Sequence, residues 1–587
     1  MCGIAGIMTT NGMAPSFVML DRMEQAIAHR GPDGSGRLLR GDTGLLHLRL
    51  SIVDLVTGDQ PLFGASDDPR FGTALICNGE IYNNPALRRA MTATPFRTRS
   101  DCEPSVFLYE AEGEGFADRL RGMYAIAIHD AERGRLVLAR DPFGIKQIYY
   151  VQTEEMFAFA SEPQALLAAG LGSRELDPVR VAELLQLKFT TGAETIFPGI
   201  FRVLPGETLV VERGRIVSSH ISTALPAGPP MATTNLIKTI DDVLLESVTA
   251  HLQSDVPYGL FLSGGVDSAA LLALMTRATG NRIQAITVGW AGAAGVDETT
   301  EALRLAAAQK ADCARIEMSA EDFWQLAPQI AASIDDPTAD AAVLPSWMLG
   351  RAARAAGLKV TLCGEGGDEL FGGYARYRKR RAPWRWLTRR PRSGGVFDGA
   401  IPGLDGWRDG IARAEARVDG DRSHLQAAQL VDCAEWLPND LLIKLDRTLM
   451  AHGVEGRTPF LDPLVARLAF NLPDSQKTGV RFGKRALREW LAGAFPEAGA
   501  WARKKGFKPP VGGWIASHGE GLARLIAAQP GVAAVVPEAV VRGAVGNAAK
   551  ESQPAWSLLY YALWHSHHVM GIDAGGDIGE VLTEAAR

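Results

Sequence analysis

The sequence predicts two domains, the C-terminal one an α/β fold on a parallel sheet. Three observations carry that expectation. The chain has 587 residues, too many for one hydrophobic core. Residues 223–234 (Thr-Ala-Leu-Pro-Ala-Gly-Pro-Pro-Met-Ala-Thr-Thr) are rich in proline and alanine and carry no charge, a linker composition. Beyond them, short apolar runs of strand character alternate with helical stretches, and two of the runs end in glycine-rich turns. The expected division is residues 2–217, a linker over 218–234, and residues 235–587.

The totals narrow the function. At 47% hydrophobic and 22% charged residues the composition is that of a soluble globular protein. A net charge of −6 argues against a dedicated nucleic-acid binder. No apolar run reaches the roughly 18 residues that span a bilayer, and the N-terminus has neither the basic segment nor the long apolar core of a signal peptide. The cysteines at 2, 77, 102, 313, 363 and 433 form no Cys-x-x-Cys pair. That suits a reducing compartment and offers no zinc site. A cytoplasmic protein without membrane or nucleic-acid partners is expected.

In the first domain, Cys2 precedes the apolar run Gly3-Ile4-Ala5-Gly6-Ile7. Once Met1 is removed, Cys2 carries a thiol and a free α-amine. That amine titrates near pH 8 and can act as the thiol's base, directly or through a water. The start of a buried strand is the plainer alternative. Arg30-Gly31-Pro32-Asp33 reads as a turn with a charge pair. His47 to Asp54 alternates as a half-buried strand with Arg49 and Ser51 on one face. Ala74 to Asn83 is a strand running into the polar turn Asn78-Gly79-Glu80. Ser100-Asp101-Cys102-Glu103 reads as a loop capping the helix from Pro104. Together these stretches supply an arginine for a carboxylate, carboxylates for an ammonium, and an amide plus a backbone N–H for an oxyanion. A site that binds an amino acid and attacks its side-chain amide needs those groups.

In the second domain a helix is expected from about Asn235 to Leu252. The run Tyr258-Gly259-Leu260-Phe261 then leads through Leu262-Ser263-Gly264-Gly265-Val266-Asp267-Ser268 into an apolar helix. Adjacent glycines open the backbone to a phosphate, and the helix start offers free N–H groups. Ser263 and Ser268 add hydroxyls, and Asp267 can hold a magnesium ion against phosphates. An ordinary strand-to-helix turn is the alternative. Further strands are expected at Ile283 to Gly289 and Val360 to Cys363, with a helix from Asp297 to Lys310. The Val360 strand ends in Gly364-Glu365-Gly366-Gly367-Asp368-Glu369, whose carboxylates beside a triphosphate would call for a divalent metal. The basic, tryptophan-bearing segment 376–392 reads as a solvated face or subunit contact in preference to an RNA site. Lys444-Leu445-Asp446-Arg447, Gly483 to Arg488 and Arg503 to Pro510 read as helical surface charge, or as lysines reaching a phosphate.

Taken in order, Cys-Gly-Ile-Ala-Gly, Arg-Gly-Pro-Asp, Arg-Leu-Ser-Ile-Val-Asp, Asn-Gly-Glu-Ile-Tyr-Asn and Ser-Asp-Cys-Glu resemble the class-II glutamine amidotransferase domain. With the Ser-Gly-Gly-x-Asp-Ser loop and Gly-Glu-Gly-Gly-Asp-Glu, nearly the whole chain resembles glutamine-hydrolysing asparagine synthetases. The resemblance implies an N-terminal-nucleophile hydrolase fold, an α-β-β-α sandwich, followed by an ATP-pyrophosphatase-type domain. It implies Cys2 as nucleophile, Asn78 and the Gly79 N–H as oxyanion hole, and Arg49, Val53, Asn78, Glu80 and Asp101 as glutamine contacts. It assigns ATP to Leu262, Ser263, Gly264, Gly265, Asp267, Ser268, Val288, Cys363 and Gly364, and Mg2+ to Asp267 and Asp368. Lys484 is implied at the phosphates and Glu365 as the base for ammonia, with ammonia passing through an internal tunnel. The implied substrates are glutamine, ATP and a carboxylate, aspartate first; a homodimer is a candidate assembly. Two departures bear on the acceptor. Residues 335–345 lack the arginine expected to suit the aspartate carboxylate, and Cys363 stands where serine is usual. An amidotransferase acting on another carboxylate, such as a cell-surface sugar or a peptide, therefore stays open. A non-catalytic scaffold is the third reading, although Cys2, Asn78, Asp267, Glu365 and Lys484 are all present.

Overall fold

The computed structural model describes residues 2–66, 72–231, 234–292, 298–379, 394–397, 399–418, 420–502 and 508–587. Most of the basic 376–392 segment and of Arg503 to Pro510 lies outside them. In the first part of the chain, apolar and β-branched runs form two antiparallel six-stranded sheets. Across the first sheet the order is Phe201–Arg202, Tyr149–Gln152, Met156–Ala160, Gly3–Thr9, Thr43–Arg49 and Gly34–Arg40. The second runs Arg215–Ile221, Glu207–Glu212, Arg135–Arg140, Gly122–Asp130, Thr73–Ile81 and Leu62–Phe63. Ile4, Met8 and Leu45 of the first sheet pack against Ile76, Ala125 and Leu138 of the second. Helices Phe17–Ala26 and Pro163–Ala168 cover the outer face of one sheet and Glu103–Glu112 that of the other. This is the expected α-β-β-α sandwich.

Thr43–Arg49 is buried along its whole length, where alternation predicts a half-buried strand. It lies inside the sheet, paired on both edges and covered on both faces, so both side-chain sets are enclosed. The strand stops at Arg49, which leaves Ser51 to Asp54 as a loop. Helix Glu103–Glu112 starts without a side-chain cap, because Asp101 spends its carboxylate on the Ile81 N–H instead (2.6 Å).

The second part of the chain holds a five-stranded sheet in the order Asp312–Met318, Gln284–Trp290, Tyr258–Phe261, Val360–Leu362, Glu455–Arg457, parallel throughout. Helices Leu236–His251 and Val266–Thr279 pack on one side, Val343–Ala355 and Leu442–Met450 on the other. From Tyr258–Phe261 the chain builds outward on one flank, then returns to place Val360–Leu362 on the other. That reversal makes a switch point, with a crevice at the strand ends where ligands gather. Both glycine-rich turns leave adjacent strands at this crevice. Among the described residues no helix is long and apolar enough to cross a membrane.

Buried charges join the two parts. Arg202, 1% exposed, donates from Nε and Nη2 to the two oxygens of Asp336 (2.8 and 2.6 Å), and the Tyr149 hydroxyl donates to the same carboxylate (2.8 Å). Removing one member strands the other charge in the interior. Asp336→Ala is therefore expected to destabilise the protein by about 3–5 kcal/mol. The check is the denaturant midpoint; an unchanged midpoint would show that the pair contributes nothing.

Candidate active sites

The first site forms where Gly3–Thr9 begins. The Cys2 N–H donates to Asn78 Oδ1 (2.9 Å). That bond turns the amide so that Nδ2 is buried without a hydrogen-bond partner. A buried, unsatisfied donor costs about 1–3 kcal/mol, and an oxyanion beside it would recover that cost. Gly79 follows because nothing larger fits: a Cβ there would stand 2.1 Å from the Met123 carbonyl oxygen and 2.6 Å from Tyr124 Cα. The Cys2 thiol faces the Leu50 carbonyl (3.9 Å), and burial pushes it up to about 11. Such a thiol needs a base to react at neutral pH, the role open to the α-amine of a processed chain.

Arg49 Nη1 donates to Asp59 (2.6 Å), and Nη2 donates to the carbonyls of Val53 and Asp54. Asp59 is 82% exposed while Arg49 is 8% exposed, so a surface carboxylate already engages the guanidinium. Asp101 is raised to about 6 by burial. Burial also raises Glu80, whose carboxylate lies 3.0 Å from Arg457 Nη2, in the third sheet. Arg457 also donates to the carbonyls of His251 and Gln253 (2.7 and 2.6 Å), while its own carbonyl accepts the Cys363 N–H (2.8 Å). One residue thus ties the oxyanion strand to the turn that leads into Glu365.

At the crevice, the Ser263-Gly264-Gly265 loop is held by its own hydroxyls. Ser268 Oγ accepts the Ser263 N–H (3.1 Å), and Ser263 Oγ accepts the Gly265 N–H (3.1 Å). Helix Val266–Thr279 starts there, and its first residues, Val266 and Asp267, line a cavity of about 690 Å³. Leu262, Ser263, Gly264, Gly265, Asp267, Val288, Asp368 and Lys484 line this cavity. Ser268, Cys363 and Gly364 are not among its lining residues; Ser268 braces the loop from behind, and Gly364 abuts Asp267.

Lys484 is 5% exposed and its ammonium pairs with Asp267 and with Asp368 (2.7 Å to the latter). It caps helix Arg485–Ala494 from a left-handed backbone (φ 55°), and Arg488, one turn on, lines the same cavity. Gly373 makes the approach feasible: a Cβ there would meet Asp368 Oδ1 at 1.7 Å and Lys484 Cε at 2.4 Å. Asp267 and Asp368 thus converge on one cation position, now taken by an ammonium. Among the described residues no cluster of three or more His, Cys, Asp or Glu side chains is spaced to hold a metal unaided. Two carboxylates completed by phosphate oxygens are the usual donor set for Mg2+, so these residues fit that ion.

The three acidic residues of the second turn diverge. Asp368 faces Lys484. Glu369 accepts the Tyr374 hydroxyl, and burial raises it to about 7. Burial raises Glu365 too, opposed by the Lys444 ammonium.

Helix Leu442–Met450 departs most from its sequence pattern. All nine of its residues are buried, where surface charge is the simpler expectation. Asp446 receives Arg30 Nη1 (2.8 Å) and Arg447 Nη1 (2.7 Å), and Arg447 Nε donates to Asp335 (2.8 Å). Arg30 also reaches Glu162 (2.6 Å) and the Cys2 carbonyl (3.1 Å), while Asp33 pairs with Lys359 instead (2.8 Å). A chain of ion pairs therefore runs from Cys2 to the 335–345 segment. Sequence reading misses it because Arg30 lies 416 positions from Asp446 and Arg447 lies 112 from Asp335.

A model described as "Glutamine amidotransferase domain" matches residues 1–221, and one described as "Asparagine synthase" matches 239–566. A Bacillus subtilis protein, "Asparagine synthetase [glutamine-hydrolyzing] 1", is 29% identical over 97% of this chain and 97% of its own. A Mycobacterium bovis "Putative asparagine synthetase [glutamine-hydrolyzing]" is 31% identical over 96% and 97%. "Amidase chry2" of Gibberella zeae is 30% identical over 83% and 85%. The chain belongs to the glutamine-hydrolysing asparagine synthetase family, ligases with glutamine as amide donor.

Proposed function

We propose that this protein converts aspartate to asparagine with ammonia from glutamine, through β-aspartyl-AMP, releasing glutamate, AMP and pyrophosphate. Residues 2–217 with the rest of edge strand Arg215–Ile221 form the glutaminase, the remainder of 218–234 the linker and 235–587 the synthetase. The observation that carries the reading is the convergence of Lys484, Asp267 and Asp368 at the mouth of the glycine loop, with Glu365 on the neighbouring turn.

In the first half-reaction Arg49, the Val53 carbonyl, Glu80 and Asp101 hold glutamine. Cys2 attacks the side-chain amide, the proton passes by way of the α-amine to the departing ammonia, and water then hydrolyses the Cys2 thioester to release glutamate. Asn78 Nδ2 and the Gly79 N–H receive the oxyanion. In the second, Leu262 and Val288 bracket the nucleotide with Cys363 and Gly364 behind them, and Ser263 to Gly265, braced by Ser268, cradle the pyrophosphate. Mg2+ held by Asp267 and Asp368 would neutralise phosphate charge. Lys484 then turns from those carboxylates to the phosphates. Glu365 takes a proton from ammonia as its nitrogen attacks the acyl-adenylate and AMP leaves. An enclosed path between the sites keeps ammonia from becoming inert ammonium.

A second reading keeps the chemistry and changes the acceptor to another carboxylate. It draws on the missing arginine in 335–345 and on relatives named amidases. Pyrophosphate release across a panel of carboxylates decides between them. Saturable release with aspartate supports asparagine synthesis; release with another carboxylate and none with aspartate supports the second reading.

A further inference from the structure

We propose that Lys188 and Asp340 recognise the α-carboxylate and α-ammonium of the acceptor, which makes the acceptor an α-amino acid with a carboxylate side chain. The inference rests on the reading above, that a carboxylate is adenylated beside Glu365.

Residues 335–345 supply no cation of their own, and most of their polar groups are spent. Asp335 is held by Arg447, Asp336 by Arg202 and Tyr149, and the Thr338 hydroxyl by Asp440. Asp340 differs, with its side chain 22% exposed against 2% and 1% for Asp335 and Asp336. Lys444 Nζ fixes one oxygen (2.9 Å) and the Ala342 N–H the other (3.3 Å), so the carboxylate is immobilised while part of it faces outward. Despite burial, Asp340 and Asp440 hold Lys444 up to about 12, so it stays charged at neutral pH.

Lys188 comes from the glutaminase domain. It ends helix Pro178–Leu187 in a left-handed conformation (φ 79°), and its carbonyl accepts the Ala339 N–H (2.7 Å). That bond anchors the lysine one residue from Asp340. Its Nζ stands 4.0 Å from Asp340 Oδ1, beyond hydrogen-bond reach, and its side chain is 23% exposed. Opposite charges at this spacing match the two ionic groups that an amino acid carries on one carbon. Ala341 and Ala342 beside them are small and partly exposed. Lys444, which holds the other oxygen of Asp340, interacts electrostatically with Glu365. The row Lys188, Asp340, Lys444, Glu365 thus runs from the recognition pair toward the base, and Lys188 supplies the cation that the 335–345 segment lacks.

The test measures pyrophosphate release with L-aspartate, succinate, which lacks the ammonium, and β-alanine, which lacks the α-carboxylate. Lys188→Met is expected to raise KM for aspartate about 10–100-fold, with KM for ATP near its wild-type value. The wild-type preference for aspartate over β-alanine should collapse in this variant, and Lys188→Arg should restore most of it. Asp340→Asn, which keeps an acceptor for Lys444, should instead erase the preference over succinate. Unchanged preference ratios in Lys188→Met and Asp340→Asn would overturn the assignment of this pair. Release by the wild type with carboxylates that are not α-amino acids, and none with aspartate or glutamate, would overturn the acceptor reading itself.

Discussion

Cys2→Ala is expected to cut glutamine-driven amide formation by about 10³-fold or more, while synthesis from added ammonium persists. Cys2 offers the sulfur nucleophile at the site where Asn78 Nδ2 waits without a partner. Alanine keeps the backbone N–H that donates to Asn78, so the oxyanion side of the site stays in place. The synthetase crevice has its own loop, cation and base, none of which touches the thiol. Amide formation is assayed with glutamine and with ammonium as alternative nitrogen donors. Loss of both activities in a variant that keeps its unfolding midpoint would refute separate sites.

Lys484→Met is expected to lower acceptor-dependent pyrophosphate release by about 10²–10³-fold and to leave glutamine hydrolysis measurable. The lysine acts twice. In the proposed reaction, with phosphates bound, its ammonium would stabilise charge that develops as the α-phosphate is attacked. Without them, it neutralises Asp267 and Asp368; burial works against its charge, but the two carboxylates raise it further. Methionine leaves those carboxylates facing each other, which penalises their joint ionisation. Unfolding and turnover should therefore both respond. A normal kcat for pyrophosphate release in this variant would remove Lys484 from the reaction.

Much of the architecture is legible in the amino-acid sequence. The α-β-β-α sandwich is implied by the family resemblance that the motifs carry, and the parallel sheet follows from apolar runs alternating with helical stretches. The phosphate loop is legible because its chemistry is local: two glycines, two serines and an aspartate act within one turn. The strand-to-turn placement of Asn78 and Gly79 is local too. Other features resist such reading. The acidic turn 364–369 shows three candidate carboxylates, yet Asp368 meets Lys484, Glu369 meets Tyr374 and Glu365 faces Lys444. Which carboxylate goes where depends on elements more than 70 positions downstream for two of them.

Sequence by itself determined the covalent inventory and the local geometry: a cysteine at position 2, the glycine turns at strand ends, and the missing arginine in 335–345. Tertiary structure alone decided how the charges are spent. Arg30 meets Asp446, Arg202 meets Asp336, and Glu80 meets Arg457 across the boundary between the two parts. Helix Leu442–Met450, polar enough for the surface, lies buried because the glutaminase domain and the 335–345 segment bring opposite charges to it. The physical reason is that burying an ion is unfavourable unless a counter-ion arrives with it. Periodicity records which way a side chain points along its own helix or strand, and it holds no record of the counter-ion that another element delivers.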